Sequence, residues 1–322
     1  MSRSTGVVSC AKIMKILVIR PAALGDTLML LPAIAHLKRS AGIVFAGRAP
    51  GIDYLKAHVD VCIDYESGGW HNLFLEECEK DRLPRIPPVQ RVVAFLQDPE
   101  GLVMKNLGSM LKNVSMYRFP PFPPEAEKIH VALYLATCLE QANCPVVAYA
   151  AFKDACHEAL FRRLPASGTA RKVVFHPASG GERKTYSPTF WTALIQALKG
   201  ASVFKKERFL VLLGPAEEPL FAYYQRELGT KGVEILTAPD REKLCSQLGG
   251  ARLYLGPDSG ITHLAAMHGT PTIALFKNTP VFQWRPLGPA VRVIEDKAAE
   301  PSLISRVVEI AVEGIKGQEP WT

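Results

Sequence analysis

Short apolar runs rich in β-branched residues alternate with helical stretches along the whole chain. In the first half, Lys15 to Arg20, Gly42 to Arg48, Val59 to Tyr65, Arg91 to Gln97 and Asn113 to Phe119 read as strands. In the second half, Lys172 to His176, Arg208 to Gly214, Val233 to Ala238, Ala251 to Gly256, Thr270 to Phe276 and Val291 to Glu295 do the same. Strands alternating with helical patterns are the signature of βαβ units and parallel sheets. A chain of 322 residues has room for two ordinary domains, each with its own core, so two doubly wound α/β domains are the simplest assembly.

The join is expected near Leu164 to Ala170, where one helical pattern ends in a Pro- and Gly-containing stretch before a fresh strand. The domains are thus expected at 15–165 and 166–322. Residues 1–14 form an N-terminal extension that is either disordered or upstream of a true start at Met14. The proline-rich pieces Arg82 to Pro88 and Phe119 to Pro124 are excluded from central strands and expected as surface loops of the first domain. The last helix, Pro301 to Ile315, carries Leu303, Ile304, Val307, Val308, Ala311, Val312 and Ile315 at helical spacing and packs one face on a domain.

Four strand ends carry candidate chemistry. Leu253 to Phe276 reads as strand, tight polar loop, short helix and strand, which sets Asp258, Ser259 and Gly260 at a helix N-terminus beyond the carboxyl end of a buried strand. Open α/β sheets bind ligands in that crevice, and free N–H groups at a positive helix end favour a phosphate. His263 lies one turn into that helix and reads equally as a structural or a functional histidine. His-Pro-Ala-Ser-Gly-Gly-Glu-Arg-Lys, 176 to 184, supplies Ser179, Gly180 and Lys184 in a glycine loop of the kind that cradles an anion. Alone it would read as a solvated turn, but a second such loop on the same sheet edge favours the cradle. Gly-Pro-Ala-Glu, 214 to 217, offers Glu217 for the hydroxyls of a ribose, with Glu218 as its competitor. Asp26 opens a helix after the first strand and by itself reads as a carboxylate stabilised by the helix end.

Composition narrows the ligand. The net charge is +7 with Lys and Arg scattered, which fits an anionic small substrate or membrane surface rather than a nucleic-acid groove. Arg48, Lys56 and Arg118 are basic residues of the first half, best read as solvated surface. Seven dispersed cysteines without a Cys-x-x-Cys pair indicate neither a zinc site nor a disulfide framework, hence a reduced, cytoplasmic setting. No run approaches the roughly 18 to 20 apolar residues of a spanning helix. The Gly-x-Gly-x-x-Gly and Gly-Lys-Ser/Thr motifs are missing, which lowers nicotinamide and ATPase readings, and no Asp-x-Asp metal motif occurs.

Taken in order, Arg-x-x-x-Leu-Gly-Asp (20 to 26) with Pro32, His-Pro-x-Ser-Gly-Gly (176 to 181) with Lys184, Gly-Pro-Ala-Glu (214 to 217), Asp-Ser-Gly-x-x-His-Leu-Ala-Ala (258 to 266) and Gly-Thr-Pro (269 to 271) form one set. That set resembles glycosyltransferase family nine, the ADP-heptose:lipopolysaccharide heptosyltransferases and their relatives. The resemblance runs from Met14 to the C-terminal helix. It implies two facing Rossmann-like domains of GT-B type around a nucleotide-sugar cleft, with donor in the second and acceptor mainly on the first. It also implies metal-independent, inverting transfer without a cofactor.

By the same resemblance Asp26 matches the general base, and Asp258, Ser259, Gly260 and His263 match the nucleotide-diphosphate loop. Lys184 and Ser179 match further phosphate contacts, and Glu217 the ribose contact. The donor is expected to be an ADP-sugar such as ADP-heptose, and the acceptor a lipopolysaccharide core or lipid-linked glycan, with peripheral contact at the inner face of the cytoplasmic membrane as an option. Three departures stand out, Tyr186-Ser187-Pro188 where Trp-Pro is usual, Thr262 before His263, and Lys277 in place of a glycine. They bear on donor base and sugar more than on fold. An NDP-sugar epimerase or hydrolase and a non-catalytic nucleotide-sugar binding protein are the alternatives.

Overall fold

The structure, a computed structural model, describes residues 13–77, 82–161, 172–296, 300–317 and 321. The first half runs β1 (Lys15–Ile19), α1 (Leu24–Leu28), α2 (Leu31–Leu37), β2 (Gly42–Gly47), α3 (Gly51–Leu55), β3 (Val61–Asp64), β4 (Arg91–Phe95), α4 (Leu102–Met110), β5 (Ser115–Phe119), α5 (Val131–Gln141) and α6 (Ala148–His157). The second continues with β6 (Lys172–Phe175), α7 (Pro188–Gly200), β7 (Arg208–Leu213), α8 (Phe221–Leu228), β8 (Val233–Thr237), α9 (Arg241–Gly249), β9 (Leu253–Pro257), α10 (Gly260–Met267), β10 (Thr272–Phe276), α11 (Val281–Trp284), β11 (Val291–Glu295) and α12 (Glu300–Lys316). The expected join at 165/166 and residues 1–12 of the N-terminal extension lie outside the described residues.

Both sheets are wholly parallel, in the orders β3-β2-β1-β4-β5 and β11-β10-β9-β6-β7-β8. Every expected strand forms, and the differences fall at the ends. Asn113 adopts a left-handed φ of 58°, so β5 starts only at Ser115. The Ala251 N–H closes the turn after α9 on the Leu248 carbonyl, which delays β9 to Leu253.

The period-two alternation of each strand sorts its side chains into layers. Ile16 and Val18 of β1, Val174 of β6, Leu210 and Leu212 of β7 and Tyr254 of β9 enter one continuous apolar layer shared by the two halves. Leu17 and Ile19 face a second cluster under α4, while Val173, Phe175, Val211 and Leu255 face a third with Trp191 of α7 and Leu303 and Val307 of α12. The expected C-terminal helix therefore packs one face on the second sheet's outer layer.

Polar bonds stitch the halves at the edge of the shared layer. His130 caps α5 by accepting from the Ala132 N–H at 3.1 Å, and its other ring nitrogen donates to the Arg285 carbonyl at 2.9 Å. Burial pushes His130 down to about 4, which fits the neutral ring that this donor–acceptor pair needs. The Leu160 and Phe161 N–H groups both donate to the Met267 carbonyl at the end of α10, at 2.9 and 3.1 Å.

Local signals fix the helix starts. Ser187 accepts from the Phe190 N–H at 3.1 Å, with Pro188 at the first position of α7. Ser187→Ala is expected to lower unfolding stability by about 1 kcal/mol. A guanidinium melt should show this as a lower midpoint at unchanged slope.

Candidate functional site

Each sheet reverses its strand order between two neighbours, β1 and β4 in the first and β6 and β9 in the second. A crevice opens at the carboxyl ends of strands at such a reversal. Asp26 follows β1, the Ser179 loop follows β6, and the Asp258 loop follows β9. Parallel pairing brings all three to the same edges of their sheets.

On the second sheet the two loops are bonded together. The Ser179 hydroxyl donates to the Asp258 main-chain carbonyl at 2.6 Å, and Lys184 Nζ donates to Asp258 Oδ2 at 2.6 Å. His263 Nε2 stands 3.6 Å from the other carboxylate oxygen, Oδ1. Burial alone would raise the Asp258 carboxyl, but the His263 and Lys184 contacts outweigh it and hold it down to about 2. Ser259 caps α10 by accepting from the Thr262 N–H at 3.3 Å. Gly260 and Ile261, whose N–H groups precede any intrahelical partner, head the helix.

Thr262, one of the departures, is wholly buried and anchors this loop through Pro257 O, the Ser259 hydroxyl and the Tyr254 hydroxyl. The other two departures meet one another. Lys277 Nζ lies 5.2 Å from the centroid of the Tyr186 ring, which packs on Phe190.

A cavity of about 490 Å³ is lined by Ala23, Leu24, Gly25, Ser179, Gly180, Gly181, Glu217, Ser259 and Gly260, among others. Glu217 reaches it while Glu218 is exposed and outside. One oxygen of Glu217 already accepts from the Gly214 N–H at 2.9 Å, closing its own turn. Through Leu24, His176 and Ile261 the cavity adjoins a second, mostly apolar one of about 340 Å³ between Pro50 and Tyr54 of the first half and Leu213, Pro239 and Leu244 of the second. His176 is buried at their junction and bonds the Leu212 carbonyl at 3.1 Å.

Asp26 reaches the same place from the other half. A Cβ built on Gly260 would lie 3.0 Å from the Gly25 nitrogen, so α1 and α10 meet backbone to backbone. The Asp26 carboxylate has no hydrogen bond or ion pair among the described residues. Burial raises its pKa, and so does Asp258; Arg20, His263 and Lys184 oppose that shift. It is a half-buried carboxylate with unoccupied lone pairs, lying in the field of two cations and a histidine from three other segments.

As expected of solvated surface, Arg48 and Lys56 make exposed ion pairs with Glu66 and Asp53. His268 sits at the C-cap of α10, buried and stacked on Phe161 at 4.9 Å. Arg20, which the sequence marks only as the first residue of the Arg-x-x-x-Leu-Gly-Asp set, is completely buried beside Asp26. A charged residue ending an otherwise apolar strand was the signal available in the sequence. Among the described residues no group of three or more His, Cys, Asp or Glu is arranged to hold a metal ion, and no helix is long and apolar enough to cross a membrane.

Residues 101–307 match glycosyltransferase family 9 (heptosyltransferase). No curated protein sequence matches the chain. Among solved structures it is similar to E. coli ADP-heptose lps heptosyltransferase II, with a TM-score of 0.69 and 18% identity over 95% of this chain and 99% of that one. It is similar to a glycosyl transferase family 9 protein from Veillonella parvula, at 0.66 and 14% over 95% and 98%. The E. coli heptosyltransferase WaaC with ADP gives 0.64 and 16% over 92% and 99%. At these identities the likeness establishes the fold, two parallel-sheet α/β domains of GT-B type.

Lys184→Met is expected to raise the Asp258 pKa from about 2 towards the ordinary carboxylate range, because it removes a bonded cation while leaving the burial. A carbon-13 titration of the side-chain carboxyls should show the Asp258 signal moving at higher pH than in wild type. An unmoved titration would mean that His263 alone sets it.

Proposed function

The chain belongs to glycosyltransferase family 9, the heptosyltransferases, and on that premise we propose that it transfers heptose from ADP-heptose to a lipopolysaccharide core-type acceptor by metal-independent inversion. The carrying observation is the Asp26 carboxylate, unbonded and with a raised pKa, next to Lys184, His263 and the head of α10.

In this reading the donor diphosphate lies over Ser179, Gly180, Lys184 and Ser259 to His263, its ribose at Glu217 and its base in the apolar cavity beside Leu213 and Pro239. The boundary between acceptor-side and donor-side domains is taken at 165/166. An acceptor hydroxyl on the Asp26 side attacks the anomeric carbon as the bond to the diphosphate breaks, and its proton passes to Asp26. Charge growing on the leaving phosphate meets Lys184 and the first-turn N–H groups of α10, which supply the neutralisation a divalent metal gives elsewhere. Attack opposite the leaving group inverts the anomeric configuration. The direction of the Asp26 shift suits a base, since a carboxylate whose pKa is raised by burial binds a proton more strongly. The setting proposed is the cytoplasm, with the lipid-linked acceptor presented at the membrane's inner face.

The test is ADP release from ADP-heptose, with and without deacylated inner-core acceptor, in excess chelator. Acceptor-dependent release supports the reading. Release without acceptor would instead indicate a hydrolase or an epimerase-type enzyme. Asp26→Asn is expected to reduce turnover by about 10² to 10⁴, the usual contribution of a positioned base, with ADP affinity nearly intact. A loss under about tenfold would remove Asp26 from that role.

A further inference from the structure

Arg20, at the end of β1, is wholly buried. Its Nε donates to the main-chain carbonyl of Asp26 at 3.1 Å and its Nη1 to the carbonyl of Pro121 at 2.7 Å. The guanidinium carbon lies 5.8 Å from the centroid of Phe95 and 5.4 Å from that of Phe122, and the Phe122 ring in turn packs at a tilt against Trp284 of the second half, centroids 5.7 Å apart. Its Nη2 is buried without a hydrogen-bond partner among the described residues.

For stability alone this is a poor arrangement. A buried guanidinium loses its hydration, and an unpaired buried donor costs about 1 to 3 kcal/mol. Burial lowers the Arg20 pKa to about 10, which leaves the group charged at neutral pH, and Asp26 is the leading charge opposing that shift. Both of its hydrogen bonds go to carbonyls rather than to the Asp26 carboxylate. The charge therefore acts on that carboxylate through space, and the carboxylate oxygens stay free to take a proton.

We propose that Arg20 is a positioning residue for sugar transfer: its planar fork fixes the Asp26 turn against the Pro121 loop, and its charge sits permanently behind the Asp26 carboxylate. The inference rests on the reading of Asp26 as base. The other groups facing Asp26 are His263 from α10, Lys184 from the glycine loop and Asp258 from the loop before α10. None of these lies on β1 or hydrogen-bonds the Asp26 backbone. Arg20 thus keeps the base ionised and oriented independently of donor binding, whereas Lys184 and His263 belong to the proposed diphosphate site.

The sign of the effect is fixed. The base works only when ionised, so turnover falls as pH drops through the Asp26 pKa, and removing a positive charge raises that pKa. In Arg20→Met the acid limb of kcat is expected to move to higher pH by about one unit or more, the usual effect of a nearby opposite charge. ADP affinity should stay near wild type. Arg20→Lys keeps the charge but not the fork, since an ammonium is a point donor that cannot span both carbonyls. Its acid limb should stay in place while kcat falls about tenfold or more, the scale on which a small misplacement of a catalytic group is felt.

The measurement is acceptor-dependent ADP release across pH for wild type and both variants, with near-ultraviolet circular dichroism to establish folding and calorimetry for ADP binding. An Arg20→Met acid limb within about 0.3 pH unit of wild type would overturn the proposal, being far below the expected charge effect. Should Arg20→Met not fold, Arg20→Lys decides, and a kcat within about threefold of wild type would overturn it. Asp26→Asn, run alongside, separates the two ideas: full turnover there removes the base reading itself, whereas its loss with an unmoved Arg20→Met limb removes only the role of Arg20.

Discussion

The N-terminal ends of α1 and α10 touch at Gly25 and Gly260, and the geometry of the cleft follows from that contact. An added Cβ at Gly260 would meet the Gly25 nitrogen at 3.0 Å and the Leu24 side chain at 3.0 Å. A larger residue there would hold the helices apart and with them the two sheet edges. The contact is held from behind by the apolar layer common to both halves, and at its rim by His130 on Arg285 O and by the Phe122–Trp284 pair. Because that layer draws alternate residues from both sheets, separating the halves exposes apolar surface from each at once.

Around this contact the polar groups divide into two sets that differ in how their charge is handled. On the second sheet, Asp258 is bonded directly to Lys184 and set close to His263, and its carboxyl is strongly acidified as a result. On the facing sheet, Asp26 has cations nearby but none bonded to it, and burial raises its pKa. Two carboxylates of neighbouring segments are thus pushed in opposite directions by their surroundings, the kind of separation by which paired carboxylates take different roles.

Much of the scaffold is legible in the chain. The eleven strands of the described residues lie within or against the apolar runs that announce them, most plainly the inner ones such as β1, β6, β9 and β10, because a parallel strand buried on both faces has to be apolar along its length. The Ser187-Pro188 start of α7 and the Ser259 cap of α10 depend on neighbouring residues only and are read just as directly. Glycine loops and acidic residues at strand ends point to the crevice, since parallel topology sends every such end to one side.

The sequence by itself determined which segments are strands, where the helices start, and that the polar strand ends share an edge, because each depends on short-range periodicity and capping. Only the tertiary structure decided which polar group meets which. Asp258 is clamped by Lys184 from 74 positions away, and Glu217 turns one oxygen inward to its own Gly214. Arg20 spends its hydrogen bonds on Asp26 O and on Pro121 O, 101 positions on. Such pairings are set by the register of one sheet edge against another. No local propensity encodes that register, which is why a buried arginine at the end of β1 reads in the sequence as no more than the last residue of a strand.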